Sequence, residues 1–585
     1  MKTSQILLEK NVPCTKRDGT ILYSDIYRPN QDGQFPVMLT RLPYSKDLPF
    51  YSHRYLDTNR LVENGYVVII QDVRGRYKSE GEFFPFKYEA ADGYDTVEWA
   101  AKLPYSSGKV GMFGLSYYGF TQLSAASERP PHLYAIFPAM TSHDSRNGLL
   151  FHNGAYELGL FETWVLESIV PDLLKRKHKN EKTYAEAMNS LAKSFNNISE
   201  WYRYSPINEW PPIKELGVAD FFFELLQYNL EDDFWDKTGI AGKFEQINIP
   251  AYHAGGWYDC LLGSTIDNYI KIKKQAEDPK VKDNQKLIVG PWAHGDFSSL
   301  IGERSFGVHA SENWIDLKED LTNLHIRWFD YWLKNIDTDI TGEAPVKIFV
   351  MGINEWRDEQ EWPLARTIYT PYYFHSEGKA NTRNGDGRLT VKKPADEPVD
   401  QFIYDPHHPV LTQGGGTLYD GINQVGPLDQ RKVEERDDVL VYTSEPLEEA
   451  LEVTGPVKVK LWAKTDAKDT DFTGKLVDVL PDGTAYNLTD GIIRARYRNG
   501  FIPEADLDGE VVEYEIDLWS TSNVFLPGHS IRIEVSSSNF PRFDINPNTG
   551  RTMKDSTEVK IAKQAIYHNE KYPSHVILPI IPAKK

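Results

Sequence analysis

Cysteine is almost missing: Cys14 and Cys260 are the only two in 585 residues. No disulfide framework can hold a chain of that size, and a reducing compartment is compatible with it. Long hydrophobic runs are missing as well. Apolar stretches such as residues 67–70 have strand length, whereas a membrane-spanning helix needs about 20 apolar residues, so no span is expected. Basic charge is scarce, with 65 Lys and Arg against 85 Asp and Glu and a net charge of −20. That balance argues against nucleic acid, whose phosphates are gripped by clustered cations. Residues 1–10 hold a short apolar stretch broken by Glu9, well short of a signal-peptide core, so the expected location is cytoplasmic.

What is plentiful is aromatic side chain: 33 Tyr and 14 Trp bring the aromatic share to 13%, which suits aromatic-lined cavities or a β-rich region. The length calls for two or three cores. Residues 12–27 alternate around the turn Arg17-Asp18-Gly19-Thr20 and read as a hairpin. Buried-strand runs at 35–40, 65–72 and 109–114 are interleaved with helical patterns at 55–63 and 91–101, which means a mostly parallel sheet covered on both faces. From 142 to 246 the chain is dense in Phe, Trp and Leu, with a candidate helix at 183–194, and reads as an inserted helical cap. The strand-helix pattern resumes at 249–253 and 286–290 and closes on an aromatic helix at 324–333. Beyond it, short alternating runs such as 457–462 and 530–535 recur between turns. The expected architecture is therefore an α/β hydrolase in two parts, 1–141 and 247–346, with the cap at 142–246. A galactose-binding-like jelly-roll β-sandwich is expected over 347–585, with residues 376–400 as an exposed loop.

Val110-Gly111-Met112-Phe113-Gly114-Leu115-Ser116-Tyr117-Tyr118-Gly119 sets a serine between an apolar strand and the small residues Ser124-Ala125-Ala126-Ser127. This is the setting of a nucleophile elbow, where crowding demands small neighbours and the turn lifts the hydroxyl clear of the sheet. Gly119 stands three residues after the serine, one further than usual, and a glycine-flanked serine after a strand is often only a turn. A serine hydroxyl needs a histidine to take its proton, and the histidine needs a carboxylate to hold it. Asp259 follows the strand at 249–253, and His294 follows the strand at 286–289 through Gly290-Pro291-Trp292-Ala293. Both fall just past carboxyl ends of strands, where open α/β sheets place their ligand sites. Taken singly, Asp259 reads as a helix cap and His294 as a loop histidine. In this order and at these places, Ser116, Asp259 and His294 make a catalytic triad the expectation.

Phe113-Gly114-Leu115-Ser116-Tyr117-Tyr118-Gly119, Gly255-Gly256-Trp257-Tyr258-Asp259, Gly290-Pro291-Trp292-Ala293-His294-Gly295, Arg41-Leu42-Pro43-Tyr44 and Gln71-Asp72-Val73-Arg74-Gly75-Arg76 together resemble the cocaine esterase and X-prolyl dipeptidyl peptidase-like hydrolases. The resemblance spans nearly the whole chain, because Ser537-Ser538-Asn539-Phe540-Pro541-Arg542-Phe543-Asp544 and Asn548-Thr549-Gly550 resemble the family's C-terminal signature. It implies Ser116 as nucleophile, His294 as general base and then acid, and Asp259 as the group that orients His294. It also implies an oxyanion hole made by the Tyr117 N–H and the Tyr44 hydroxyl.

Other features read more plainly. Asp72 to Gly81, with Arg74 and Arg76, suggests loop bracing. Phe151, Tyr156, Phe161, Trp164 and residues 221–223 read as cap core, with Trp164 the one substrate-binding candidate. Asp232-Asp233 reads as solvated surface and Cys260 as a packed thiol under the site. No His-Glu-x-x-His pair and no phosphate loop occurs, so no metal and no cofactor is expected and chelators should leave activity intact. The leading expectation is a serine hydrolase acting on a small ester or amide. An X-Pro dipeptidyl aminopeptidase is the alternative, and a glycan-binding protein with an inert hydrolase unit is the reading from another class. A homo-oligomer is compatible with the sequence.

Overall fold

The computed structural model describes residues 5–418 and 424–583. Its first sheet has ten strands in the spatial order Ile6–Thr15, Ile21–Pro29, Val67–Asp72, Phe35–Leu42, Ser106–Leu115, Leu133–Ala139, Ala251–Tyr258, Gln285–Ala293, Val346–Val350 and Glu355–Glu359. The strands from Val67–Asp72 to Val346–Val350 run parallel, while the opening hairpin and the last strand are antiparallel. Every residue of Val67–Asp72 is buried. Its Val-Val-Ile-Ile run suits a strand covered on both faces, because helices close over each side of a parallel sheet. The edge strand Ile6–Thr15 is mostly half-buried or exposed, as an edge allows.

The hairpin turn forms where the Arg17-Asp18-Gly19-Thr20 signal stands, with the Lys16 N–H donating to Thr20 C=O at 2.8 Å. The helices are found as Thr58–Glu63, Glu89–Ala101, Glu181–Asn196 and Leu321–Lys334, each close to its expected span. Glu181–Asn196 starts where Asn180 accepts from the Lys182 and Thr183 N–H groups, the side-chain cap that stops a helix fraying. Between the two parts of the sheet, Leu158–Trp164 continues through one wide turn, Val165–Ile169, into Val170–Lys177. Phe221–Gln227 packs on this segment through Phe222, which stacks on Phe161.

The second half folds as a largely antiparallel β-sandwich of eleven strands. Its spine is Leu451–Thr465, which alternates buried and half-buried residues over most of its 15 residues, the period-2 pattern of a strand with one face on the core. Two features differ from the sequence reading. The first sheet runs on through Val346–Val350 and Glu355–Glu359, past position 346 where a change of unit was expected; alternation marks a strand but not the sheet that receives it. The stretch 376–400 includes a short strand, Arg388–Thr390, too brief to show a period.

The sandwich is bonded to the rest of the chain. Asp544 accepts from the Tyr156 N–H at 2.9 Å, and the Gly159 N–H donates to Pro541 C=O at 2.8 Å. Buried Arg494 meets Asp471 and Asp544 in paired hydrogen bonds of 2.7–3.1 Å. Among the described residues no helix is long and apolar enough to cross a membrane.

A second ionic knot lies inside the sandwich. His568 faces Asp400 through Nε2 at 2.9 Å and Glu397 through Nδ1 at 3.2 Å, while His375 shares Glu397 and Tyr442 donates to Asp400. Burial opposes charge on His568, yet the Asp400 and Glu397 carboxylates raise its pKa above 6.5. A raised histidine pKa contributes stability that is complete below the unfolded value and lost as pH rises through the folded one. The urea midpoint should therefore fall more steeply above pH 6.5 in the parent than in His568→Asn; equal slopes would remove the pair from the account.

Candidate active site

Ser116 ends the strand Ser106–Leu115 and opens the helix Tyr117–Ser127. Its backbone sits at φ 57° and ψ −128°, a region that side chains with a Cβ rarely occupy. The neighbouring chain fixes it there. The Ser116 N–H donates to Ala139 C=O at 2.9 Å and Met140 C=O at 3.1 Å, and Ser116 C=O accepts from the Thr141 hydroxyl at 2.8 Å. Gly119 is required at its position because an added Cβ would stand 2.7 Å from Thr141 Cβ and 3.0 Å from Ala139 C=O. The turn thus needs its small residue one place later than the usual elbow. Tyr118 fills the usual place, and its buried ring is met edge-on by Tyr44, Tyr51 and Tyr55 at 5.9–6.2 Å.

Three strand ends bring the other groups. His294 leaves Gln285–Ala293 and Asp259 leaves Ala251–Tyr258, parallel neighbours whose register shifts between Gly290 and Ala293 so that Ala293 pairs with Tyr258. His294 Nε2 lies 2.9 Å from Ser116 Oγ, and His294 Nδ1 lies 2.7 Å from Asp259 Oδ1. Asp259 is fully buried. Burial opposes charge on His294, and the Asp259 carboxylate at Nδ1 favours it. Such a chain can draw the hydroxyl proton of Ser116 onto Nε2 while the carboxylate holds the ring.

The strand Phe35–Leu42 leads into Pro43 and Tyr44. The Trp164 indole donates to the Tyr44 hydroxyl at 3.0 Å. An indole N–H is a donor only, so the phenol accepts there and its own proton is free to turn elsewhere. Burial pushes the Tyr44 pKa up to about 12, while hydrogen bonds with Trp164 and Ser116 pull it back; the phenol is protonated at neutral pH. Tyr117 contributes differently. Its hydroxyl donates to Glu89 at 2.9 Å, beneath the site, and its N–H is the first of a helix, where no intrahelical acceptor exists.

The Arg74 and Arg76 segment braces, as its sequence suggested. Fully buried Arg76 donates to Pro43 C=O at 2.7 Å and to Ser168 and Ile169 C=O at 2.9 Å, fastening the Tyr44 loop to the wide turn after Trp164.

Ser116, His294, Tyr44 and Trp164 open on one cavity of about 260 Å³, whose walls also include Leu160, Phe161, Leu261 and Leu418. Phe151, Tyr156 and residues 221–223 lie outside it, in the packed core or against other clefts. Asp232 closes a local turn by accepting from the Asn229 N–H, away from the cavity. Glu167 is the feature that sequence reasoning missed: it is the one carboxylate on the cavity wall among the described residues. Only the wide turn Val165–Ile169, invisible in periodicity, brings it there. Leu418 comes from the second half of the chain, and Gly416 beside it backs Asp259 so closely that an added Cβ would lie 3.1 Å from Asp259 C=O.

Residues 18–296 match the model of the X-Pro dipeptidyl-peptidase (S15 family), and residues 338–577 match that of the X-Pro dipeptidyl-peptidase C-terminal non-catalytic domain. The cocaine esterase of Rhodococcus sp. (strain MB1 Bresler) is 38% identical over 577 residues, 98% of each chain. Among solved structures, an aminopeptidase from a marine sediment Thaumarchaeota archaeon is 26% identical with a TM-score of 0.79, over 99% of this chain and 97% of that one. An α-amino acid ester hydrolase covers the same shares with a TM-score of 0.81 at 24% identity, a likeness of fold. Replacing Arg76 by Met should remove three hydrogen bonds to buried carbonyls and cost on the order of 3 kcal/mol. Urea unfolding of Arg76→Met checks this, and an unchanged midpoint would remove the brace.

Proposed function

The chain belongs to the X-Pro dipeptidyl-peptidase (S15) family of serine hydrolases, and we propose that it is an acyl esterase that cleaves a small ester through an acyl-enzyme on Ser116. The observation that carries this reading is the unbroken path from Asp259 Oδ1 through both nitrogens of His294 to Ser116 Oγ, facing a cavity sized for a small acyl group. The 38% identical relative is a cocaine esterase, which favours an ester over an X-Pro amide.

In this mechanism Ser116 Oγ attacks the substrate carbonyl as His294 Nε2 takes its proton. Asp259 holds the imidazole in place and stabilises the imidazolium that forms. Negative charge gathers on the carbonyl oxygen between the Tyr44 hydroxyl and the Tyr117 N–H. A donor already aimed at that oxygen is worth about 3 kcal/mol. His294 then returns the proton to the departing alkoxide, leaving an ester on Ser116. A water, deprotonated by His294, attacks that ester and frees the acid and Ser116. Trp164 acts one step back: by occupying a lone pair of Tyr44 it aims the phenol proton at the oxyanion.

The X-Pro peptidase reading needs an anionic anchor for a free α-amino group. Glu167 on the cavity wall is the observation in its favour. Side-by-side turnover of Ala-Pro-anilide and aryl esters separates the two, and preferred anilide cleavage would displace the esterase reading.

A fluorophosphonate probe should label Ser116, as peptide mapping would read, and should fail in His294→Ala. Ser116→Ala should lose at least about 10⁴-fold in kcat; full turnover would refute the acyl-enzyme. Tyr44→Phe should lose about 10²- to 10³-fold in kcat. Trp164→Phe should lose about five- to ten-fold in kcat, the worth of one neutral hydrogen bond, with a smaller change in KM. A pure KM effect would make Trp164 only a wall.

A further inference from the structure

Next to the proposed triad stands a group that the ester chemistry does not use. Cys260 is 2% exposed and forms part of the cavity wall beside His294. A carboxylate oxygen of Asp259, the Sγ of Cys260 and a ring nitrogen of His294 all lie within 4.8 Å of one another, the one such trio of donors among the described residues. Asp259 carries a second peculiarity: Oδ2 is buried and receives no hydrogen bond. An anionic oxygen without a partner in the interior is costly, and a cation is what would satisfy it.

The donor set defines the cation. One sulfur, one imidazole nitrogen and one carboxylate oxygen form a borderline-soft set that suits Zn²⁺ and Cd²⁺ and suits Mg²⁺ and Ca²⁺ poorly. Around a tetrahedral ion with bonds of about 2.0–2.3 Å, donors stand roughly 3.5 Å apart. Three donors already within 4.8 Å need a side-chain adjustment of about 1 Å to close on it. The fourth position is left for a water from the cavity.

We propose that Asp259, Cys260 and His294 form an inhibitory site for a thiophilic divalent cation of the Zn²⁺ and Cd²⁺ class. Coordination releases the thiol proton to solvent and involves no redox step. It commits His294 to the metal and so takes from Ser116 the base that would accept its proton. The cation shuts the enzyme off, the reverse of a zinc hydrolase, and the expectation that chelators leave activity intact extends to relief by chelators once the ion is bound.

Cys14 supplies an internal control. It is also buried, with Lys16 Nζ 3.2 Å from its Sγ, and among the described residues no trio of clustered donors includes it.

The experiment is a titration of the full chain with cadmium chloride, read both by aryl-ester turnover and by the ultraviolet charge-transfer absorption of a cadmium thiolate. The absorption reads the site even if the ester reading fails. In the parent, one equivalent should develop the band and stop turnover, with EDTA restoring both. Cys260→Ser and Cys260→Ala should lose the band, and inhibition should need at least about ten-fold more cadmium. Cys14→Ser should behave as the parent. A band or inhibition that survives both Cys260 substitutions at the parental concentration overturns the site, as does a parent that binds no cadmium.

Discussion

The contorted backbone of Ser116 is the constraint on which the rest of the molecule's chemistry depends. Holding a serine at φ 57° and ψ −128° costs on the order of 1–3 kcal/mol, and such a residue persists only where its surroundings over-determine it. Here both sides of the residue are tied: its N–H to the end of the adjacent strand and its C=O to Thr141. The displaced glycine of the motif follows from the same crowding. The neighbouring strand presses on position 119, while position 118 faces a tyrosine cluster that has room for a ring. The departure from the usual spacing therefore couples the elbow to Tyr44, whose ring is one wall of that cluster.

Around this centre, buried cations act as ties between segments far apart in sequence. Arg76 joins the loop of Tyr44 to the turn after Trp164, and Arg494 joins two carboxylates of the sandwich, one of which also binds the cap backbone. Taking a guanidinium out of water is expensive, so each is surrounded by acceptors, and removing any one would strand the others. Position at the cavity is thus set by polar geometry, while Leu160, Phe161 and Leu261 supply apolar wall.

Much of this was legible in the sequence. The strands carry strong local signals, because a buried parallel strand must be apolar throughout and a hairpin edge must alternate. Ser116, Asp259 and His294 were legible because a fold of this kind can place them only at strand ends, and the structure brings these three together. What escaped is non-local. Nothing in residues 44 and 164 announces that a phenol and an indole 120 positions apart will share a hydrogen bond. Glu167 reaches the cavity only through a turn wider than an α-helix, which leaves no mark in a 3.6-residue pattern. The Val346–Val350 strand was visible as a strand, but its membership of the first sheet is decided by pairing with Leu287–Val289 and not by its own residues.

Gly416 and Leu418 bear on when this molecule becomes competent as well as on how. Synthesis runs toward higher residue numbers, so Ser116, Asp259 and His294 leave the ribosome before Gly416, which lies against Asp259, and Leu418, which walls the cavity. Until residues 541 and 544 emerge, the N–H groups of Gly159 and Tyr156 also wait for their acceptors. A chain cut before residue 412 therefore keeps Ser116, Asp259 and His294 but lacks the piece of cavity wall that Leu418 supplies and the Gly416 backbone that backs Asp259.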